Sequence, residues 1–261
     1  MKIPQEPLSY SQLHTAPLYT ESPRYLCIES PRVCCITLNE TDRIRLIDTP
    51  PELTRIIREI ISTSWGGIQH EREYHGAYEF KINGNPWQGQ GFEAVKSRRL
   101  ITGVLRAMAE NGWNLIQAAD VSKKQRDKDS LFFESVAQTT GVVDVGQVDM
   151  FSVSFNRTDR IRVIDAPAYI PHHVKQAIQT KWRSGIQQEQ MYEGSIEFKL
   201  RGNPFHPESL ETVQSRMMLA QMLANLRSQG YKLYTSVDIS IGTEGMDVES
   251  WVFRRVGPAW S

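Results

Sequence analysis

At 261 residues the chain is long enough for two domains, each able to bury a core of its own. Lys plus Arg and Asp plus Glu number 30 each, so no bulk field recruits nucleic acid or an anionic membrane. No stretch approaches the ~18 uninterrupted apolar residues of a membrane span, and the opening Met1-Lys2-Ile3-Pro4-Gln5-Glu6-Pro7 lacks the apolar core of a signal peptide.

Residues 1–24 are polar and Pro-rich without periodicity and read as a disordered tail, with Ser22-Pro23 and Ser30-Pro31 as weak proline-directed phosphorylation patterns. Cys27, Cys34 and Cys35 form an odd, clustered set, which is no disulfide framework, so the expected compartment is the reducing cytoplasm. Lipidation of Cys34-Cys35 competes with two small apolar strand residues, and the strand reading is preferred. A hairpin follows: Ile36 and Leu38 alternate with polar neighbours, Asn39-Glu40-Thr41-Asp42 turns, and Ile44 and Leu46 oppose Arg43 and Arg45. The Asn-x-Thr pattern at Asn39, and again at Asn156, reads as turn chemistry rather than a glycosylation site. A helix then opens at Pro50-Pro51 with Leu53, Ile56, Ile57, Ile60 and Ile61 on one stripe. The next strand places Tyr78, Phe80 and Ile82 opposite Glu79 and Lys81 and stops at Gly84-Asn85-Pro86. A second helix runs from about Phe92 to Asn111, with Gly112 just past its end, and two strands over residues 114–121 and 130–136 close the unit.

This whole pattern is then said again. Asn39-Glu40-Thr41-Asp42-Arg43-Ile44-Arg45 returns as Asn156-Arg157-Thr158-Asp159-Arg160-Ile161-Arg162. Glu79-Phe80-Lys81, Gly84-Asn85-Pro86 and Ser97-Arg98 return as Glu197-Phe198-Lys199, Gly202-Asn203-Pro204 and Ser215-Arg216. A period of about 120 residues suits a whole domain, not a solenoid repeat. The prediction is an α+β fold made by tandem duplication of a β-β-α-β-α-β-β domain. Each copy is a mostly antiparallel sheet with two helices on one face and a polar face outside. The expected boundaries are 25–136 and 149–256, joined by a linker over 137–148.

Chemistry leaves few candidates. No phosphate-binding glycine motif is present; Gly89-Gln90-Gly91 has no glycine counterpart in the second copy. His70, His75, His172 and His173 lack recurring ligand partners, so neither a metal nor a cofactor is expected. No nucleophile, base and orienting acid recur together, so no catalytic residue is assigned. Three constellations do recur. Arg98 and Arg216 fall beside the apolar stripe of the second helix and need partners, for which Asp120 or Glu79, and Asp238 in the second copy, are candidates. The outward row Arg43, Arg45, Glu79 and Lys81 returns as Arg160, Arg162, Glu197 and Lys199; a solvated face competes with a ligand surface or with packing of the copies together. Trp87, matched by Phe205, either staples the helix entry or anchors a partner, and the staple is favoured.

The function read from these features is a non-enzymatic adaptor that binds a protein partner. A small-molecule or catalytic site between the copies is one alternative. Nucleic-acid binding on the sheet faces is disfavoured, because the strand aromatics point toward the helices and Glu79 and Glu197 stand among the basic residues.

Overall fold

In each repeat, four strands with alternating apolar residues are extended by a fifth and sixth at the edges, and all pair antiparallel. The computed structural model describes residues 32–88, 91–122, 128–135, 148–239, 249–257 and 260. The expectations for the tail, Cys27, the two Ser-Pro dipeptides, Gly89-Gln90 and nearly all of the linker lie outside those residues.

The first repeat contains β1 (Val33–Asn39), β2 (Arg43–Ile47), α1 (Pro51–Ser64), β3 (Ile68–Tyr74), β4 (Ala77–Ile82), α2 (Phe92–Glu110), β5 (Trp113–Ala119) and β6 (Ser130–Ser135). The second contains β7 (Met150–Asn156), β8 (Arg160–Ile164), α3 (Ile170–Lys181), β9 (Ile186–Tyr192), β10 (Ser195–Leu200), α4 (Leu210–Ser228), β11 (Tyr231–Val237) and β12 (Ser250–Arg255). The first sheet has the order β3-β4-β2-β1-β6-β5 and the second the equivalent order β9-β10-β8-β7-β12-β11. The tandem α+β duplication is therefore present in the fold. Each repeat holds one strand more than its sequence pattern predicts. β3 and β9, Ile68-Gln-His-Glu-Arg-Glu-Tyr74 and Ile186-Gln-Gln-Glu-Gln-Met-Tyr192, carry too few apolar residues to show a period of two. They are edge strands whose polar and charged side chains discourage pairing with another chain. The turns that hold them, His75-Gly76 and Glu193-Gly194, place both residues at positive φ, as a tight two-residue hairpin demands.

The inner face of the first sheet is apolar and fully buried, with Ile36, Leu38, Ile44, Leu46, Phe80 and Phe133 meeting Leu53, Ile57 and Ile61 of α1. Cys34 belongs to this core, which argues against its lipidation; burial foremost pushes both the Cys34 and Cys35 thiols up to about 11. Asn39 is also buried and accepts from Thr37 Oγ1 at 2.6 Å, as Asn156 accepts from Ser154 Oγ at 2.8 Å. Trp65 and Trp182 close the cores, donating their indole N–H to the carbonyls of Asn83 and Arg201.

The two repeats do not stack symmetrically. α2 is buried on two opposite sides: Leu100, Val104 and Met108 point to its own sheet, while Val95, Arg98 and Thr102 are buried on the other side. That opposite side lies on the outer face of the second sheet. Met150 and Val252 of β7 and β12 join the core of the first repeat, and Arg106 Nη2 donates to the Met150 carbonyl at 2.7 Å. Among the described residues an open outer face therefore exists on the first sheet alone, and it is only partly polar, with Cys35, Ile47 and Phe132 in it. Val33 there is 49% exposed, whereas its counterpart Met150 is 1% exposed. The layers run first sheet, α1 and α2, second sheet, α3 and α4.

Candidate functional site

The matched charged row is built by strand register. Arg45 stands opposite Glu79 across β2 and β4, Arg72 stands opposite Glu79 across β3 and β4, and Arg162 stands opposite Glu197 across β8 and β10. Glu79 accepts from Arg43 Nη1 (2.7 Å), Arg45 Nε (2.7 Å) and Arg72 Nε (2.9 Å). Glu197 accepts from Arg160 Nη1 (2.8 Å), Arg162 Nε (2.7 Å) and Gln190 Nε2 (2.9 Å). Burial alone would raise both carboxyls. The hydrogen bonds and charge of Arg45 and Arg72 around Glu79, and of Arg162 around Glu197, hold them below the usual carboxylate range. The guanidinium carbons of Arg45 and Arg72 each stand 4.7 Å from the Tyr74 ring centre, and that of Arg162 stands 4.0 Å from Tyr192. Lys81 reaches Asp42 at 3.7 Å, and Lys199 is half-buried opposite Arg160.

These facts correct the reading of the row as eight exposed charges. Glu79 and Glu197 are buried beneath their arginines, so no partner can touch them. What the first sheet presents is a cationic rim of Arg43, Arg45, Arg72 and Lys81 around a neutralised carboxylate. In the second repeat the same clamp is shut under α2, and Gln190 replaces the third arginine.

The aromatic pair divides. Trp87 is fully buried and donates its indole N–H to the Arg43 carbonyl at 3.1 Å, so it is a staple and cannot anchor a partner. Phe205 is half-buried against Phe155. Arg98 is buried, and its Nε reaches Ser250 Oγ of the other repeat at 3.0 Å. Its counterpart Arg216 is exposed and meets only the neighbouring Ser215 hydroxyl among the hydrogen bonds described, because no further sheet lies over α4. Asp120 is exposed rather than a buried partner, and Asp238 is half-buried and pairs with Lys128 Nζ at 2.9 Å.

Asp120 and Asp238 nevertheless share a place. β5 and β11 run side by side, tied by Leu115 N–H donating to the Tyr234 hydroxyl at 2.7 Å. Between them opens a cleft of about 510 Å³, whose acidic lining is Asp120, Asp129, Asp238 and Glu249. Burial foremost, then the charges of Asp238, Glu249 and Asp120, push the Asp129 carboxyl up to about 6, although the Asp238 backbone N–H donates to it at 2.8 Å. An unfolded Asp titrates near ~4, so the folded protein holds an extra proton between about pH 4 and 6. The stability from this group is full below about pH 4 and is lost as pH rises through about 6. Asp129→Asn keeps an acceptor and cannot ionise. Its melting temperature relative to wild type should climb between about pH 4 and 7, by no more than ~3 kcal/mol in free-energy terms. Melting curves that stay parallel across that range would show that Asp129 titrates normally.

A single domain-family model matches the chain twice, over residues 32–134 and 149–254, which together make up most of its length. The chain belongs to that domain family, in two copies. No curated protein and no solved structure matches the chain. The family domain is thus the six-stranded sheet with its two helices. Sequence reasoning missed Arg99, Arg106, Arg72, Asp129 and Glu249. Arg99 Nε donates to Asp165 Oδ1 at 2.9 Å and its Nη2 to the Glu193 carbonyl at 2.9 Å. The available signal was difference rather than repetition: Arg99 and Arg106 align with Met217 and Ala224, so at these two positions charge appears in the first copy only. Arg72 lay in the unrecognised strand, and nothing local marks Asp129 or Glu249.

Proposed function

We propose that this two-copy chain is a cytoplasmic adaptor that acts by binding a protein partner, with the outer face of the first sheet as a helix-docking surface. The observation that carries the reading is the occupied twin: the same face of the second sheet already holds a helix, α2, along β7 and β8. On the first sheet Cys35, Ile47 and Phe132 form a half-buried apolar strip beside Val33, and no described helix lies on it. The rim of Arg43, Arg45, Arg72 and Lys81 flanks that strip on one side and Glu134 on the other. An apolar strip with a charged rim is what an amphipathic helix requires. The reduced thiols of Cys34 and Cys35 suit the compartment. Among the described residues no helix is long and apolar enough to cross a membrane. Residues 25–136 and 149–256 are the two domains of this reading.

A photo-crosslinking residue placed at Val33 or Phe132 in cells should give protein adducts in clear excess over the same residue at exposed Lys96 of α2. Equal yields at the three positions would remove the face as a binding surface.

A second reading is a cationic small ligand in the inter-repeat cleft, favoured by the four carboxylates that line it. Spermidine is a suitable probe: titration calorimetry at neutral pH should show binding that the pair Asp120→Asn and Asp238→Asn abolishes. Heats indistinguishable from dilution would close this reading.

A further inference from the structure

We propose that the protein associates head to tail with copies of itself, the outward face of α4 in one copy docking on the outer face of the first sheet in the next. The proposal rests on the reading of that sheet face as a helix-docking surface, and it names the occupant.

α4 is the sequence twin of α2. Ser215 aligns with Ser97, and the buried Met218, Met222 and Leu226 align with Leu100, Val104 and Met108, so both helices turn the same side to their own sheets. The side that α2 lays on the second sheet, marked by Val95, Arg98 and Thr102, is occupied in α4 by Val213, Arg216 and Ala220, all exposed. With Leu210 at 77%, Val213 at 59% and Met217 at 48% exposure, α4 carries an apolar stripe in the place where a solvated helix carries charge. Where α2 uses Arg99 and Arg106, α4 has Met217 and Ala224, so its stripe is the more apolar of the two.

Of the groups that hold α2, the receiving face repeats one in the open: Asp48 stands exposed at the place of Asp165, which takes Arg99, whereas Ser130, at the place of Ser250, is only 7% exposed. Arg216 and Arg227 on α4 are exposed cations; Asp48 and Glu134 beside the sheet strip are exposed acids. The shared term is apolar surface; Asp48 and Glu134 offer partners to Arg216 and Arg227, while the arginine rim beside the strip is already offset by Glu79 and Glu40. They lie at opposite ends of the layer order, the first sheet outermost on one side and α4 on the other. A copy bound through one face therefore leaves its other face open. Such a heterologous contact does not cap itself, and it extends into rings or filaments.

Sedimentation of the full chain at about 100 µM, a concentration at which an interface of ordinary size assembles, should show an average mass that rises with concentration beyond the dimer. Met217→Asp disables the helix face and Phe132→Asp the sheet face, and each variant alone should sediment as a monomer. Mixed in equal amounts, the two variants retain one good face each and should form a dimer and nothing larger. A wild type that stays monomeric, a species that stops at dimer, or two variants that fail to complement would overturn the proposal. Cross-linked adducts at Val33 settle which idea has failed. Adducts to another protein, with a monomeric wild type, keep the docking surface and reject self-association. Adducts within the chain to residues 1–31 would also reject it, and adducts no more abundant than at Lys96 reject both ideas.

Discussion

Glu197→Ala destabilises the protein by ~3 kcal/mol or more, while Glu79→Ala costs only ~1–2 kcal/mol, although the two residues are twins. Both carboxylates are buried and each receives three side-chain hydrogen bonds. The difference lies in what each leaves behind. Removal of Glu197 strands Arg162, whose side chain is 7% exposed under α2, and an uncompensated buried charge is expensive. Removal of Glu79 strands Arg45 and Arg72, which are 23% and 43% exposed and recover water. Denaturant melts of the two variants test this directly. Losses of similar size would mean that α2 does not seal the second clamp. Adding Arg162→Met to Glu197→Ala should recover part of the loss, since it removes the stranded charge and keeps the packing.

Trp87→Ala should cost ~3–5 kcal/mol, whereas Phe205→Ala should cost less, ~1–2 kcal/mol. Trp87 fills its site completely and ties the strand of Arg43 to the entry of α2, so truncation opens a cavity and orphans the Arg43 carbonyl. Phe205 is half-buried at the margin of the second core, where its ring meets Phe155. Trp87→Phe separates the terms: it should recover most of the loss and remain about 1 kcal/mol short for the missing hydrogen bond. A Trp87→Ala protein that melts with the wild type would return Trp87 to the role of a surface anchor.

Most of the internal plan of each repeat was legible in the chain. Ile44 and Leu46 against Arg43 and Arg45, and Phe80 against Glu79, declare which side of a strand meets the core, because side chains alternate with a period of two. The α1 stripe declares its buried face in the same way. β3 and β9 were not legible, since an edge strand buries little and shows no alternation. The candidate site was legible only in part. Arg43, Arg45 and Glu79 could be placed on one face, but burial of the carboxylate depends on Arg72 arriving from the unseen strand.

The sequence by itself determined that one domain occurs twice, that it is α+β and antiparallel, and which residues of each sheet and helix form its core. All of these follow from periodicity and repetition, which are local or self-referential. Tertiary structure alone decided that α2 lies on the second sheet, that Arg98 is buried while Arg216 is exposed, and that Asp120 and Asp238 share a cleft. Identical motifs cannot announce different environments. The difference arises because two copies stacked in one direction bury one helix and one sheet face between them. That stacking leaves their twins, the outer face of the first sheet and the outward face of α4, without a cover among the described residues.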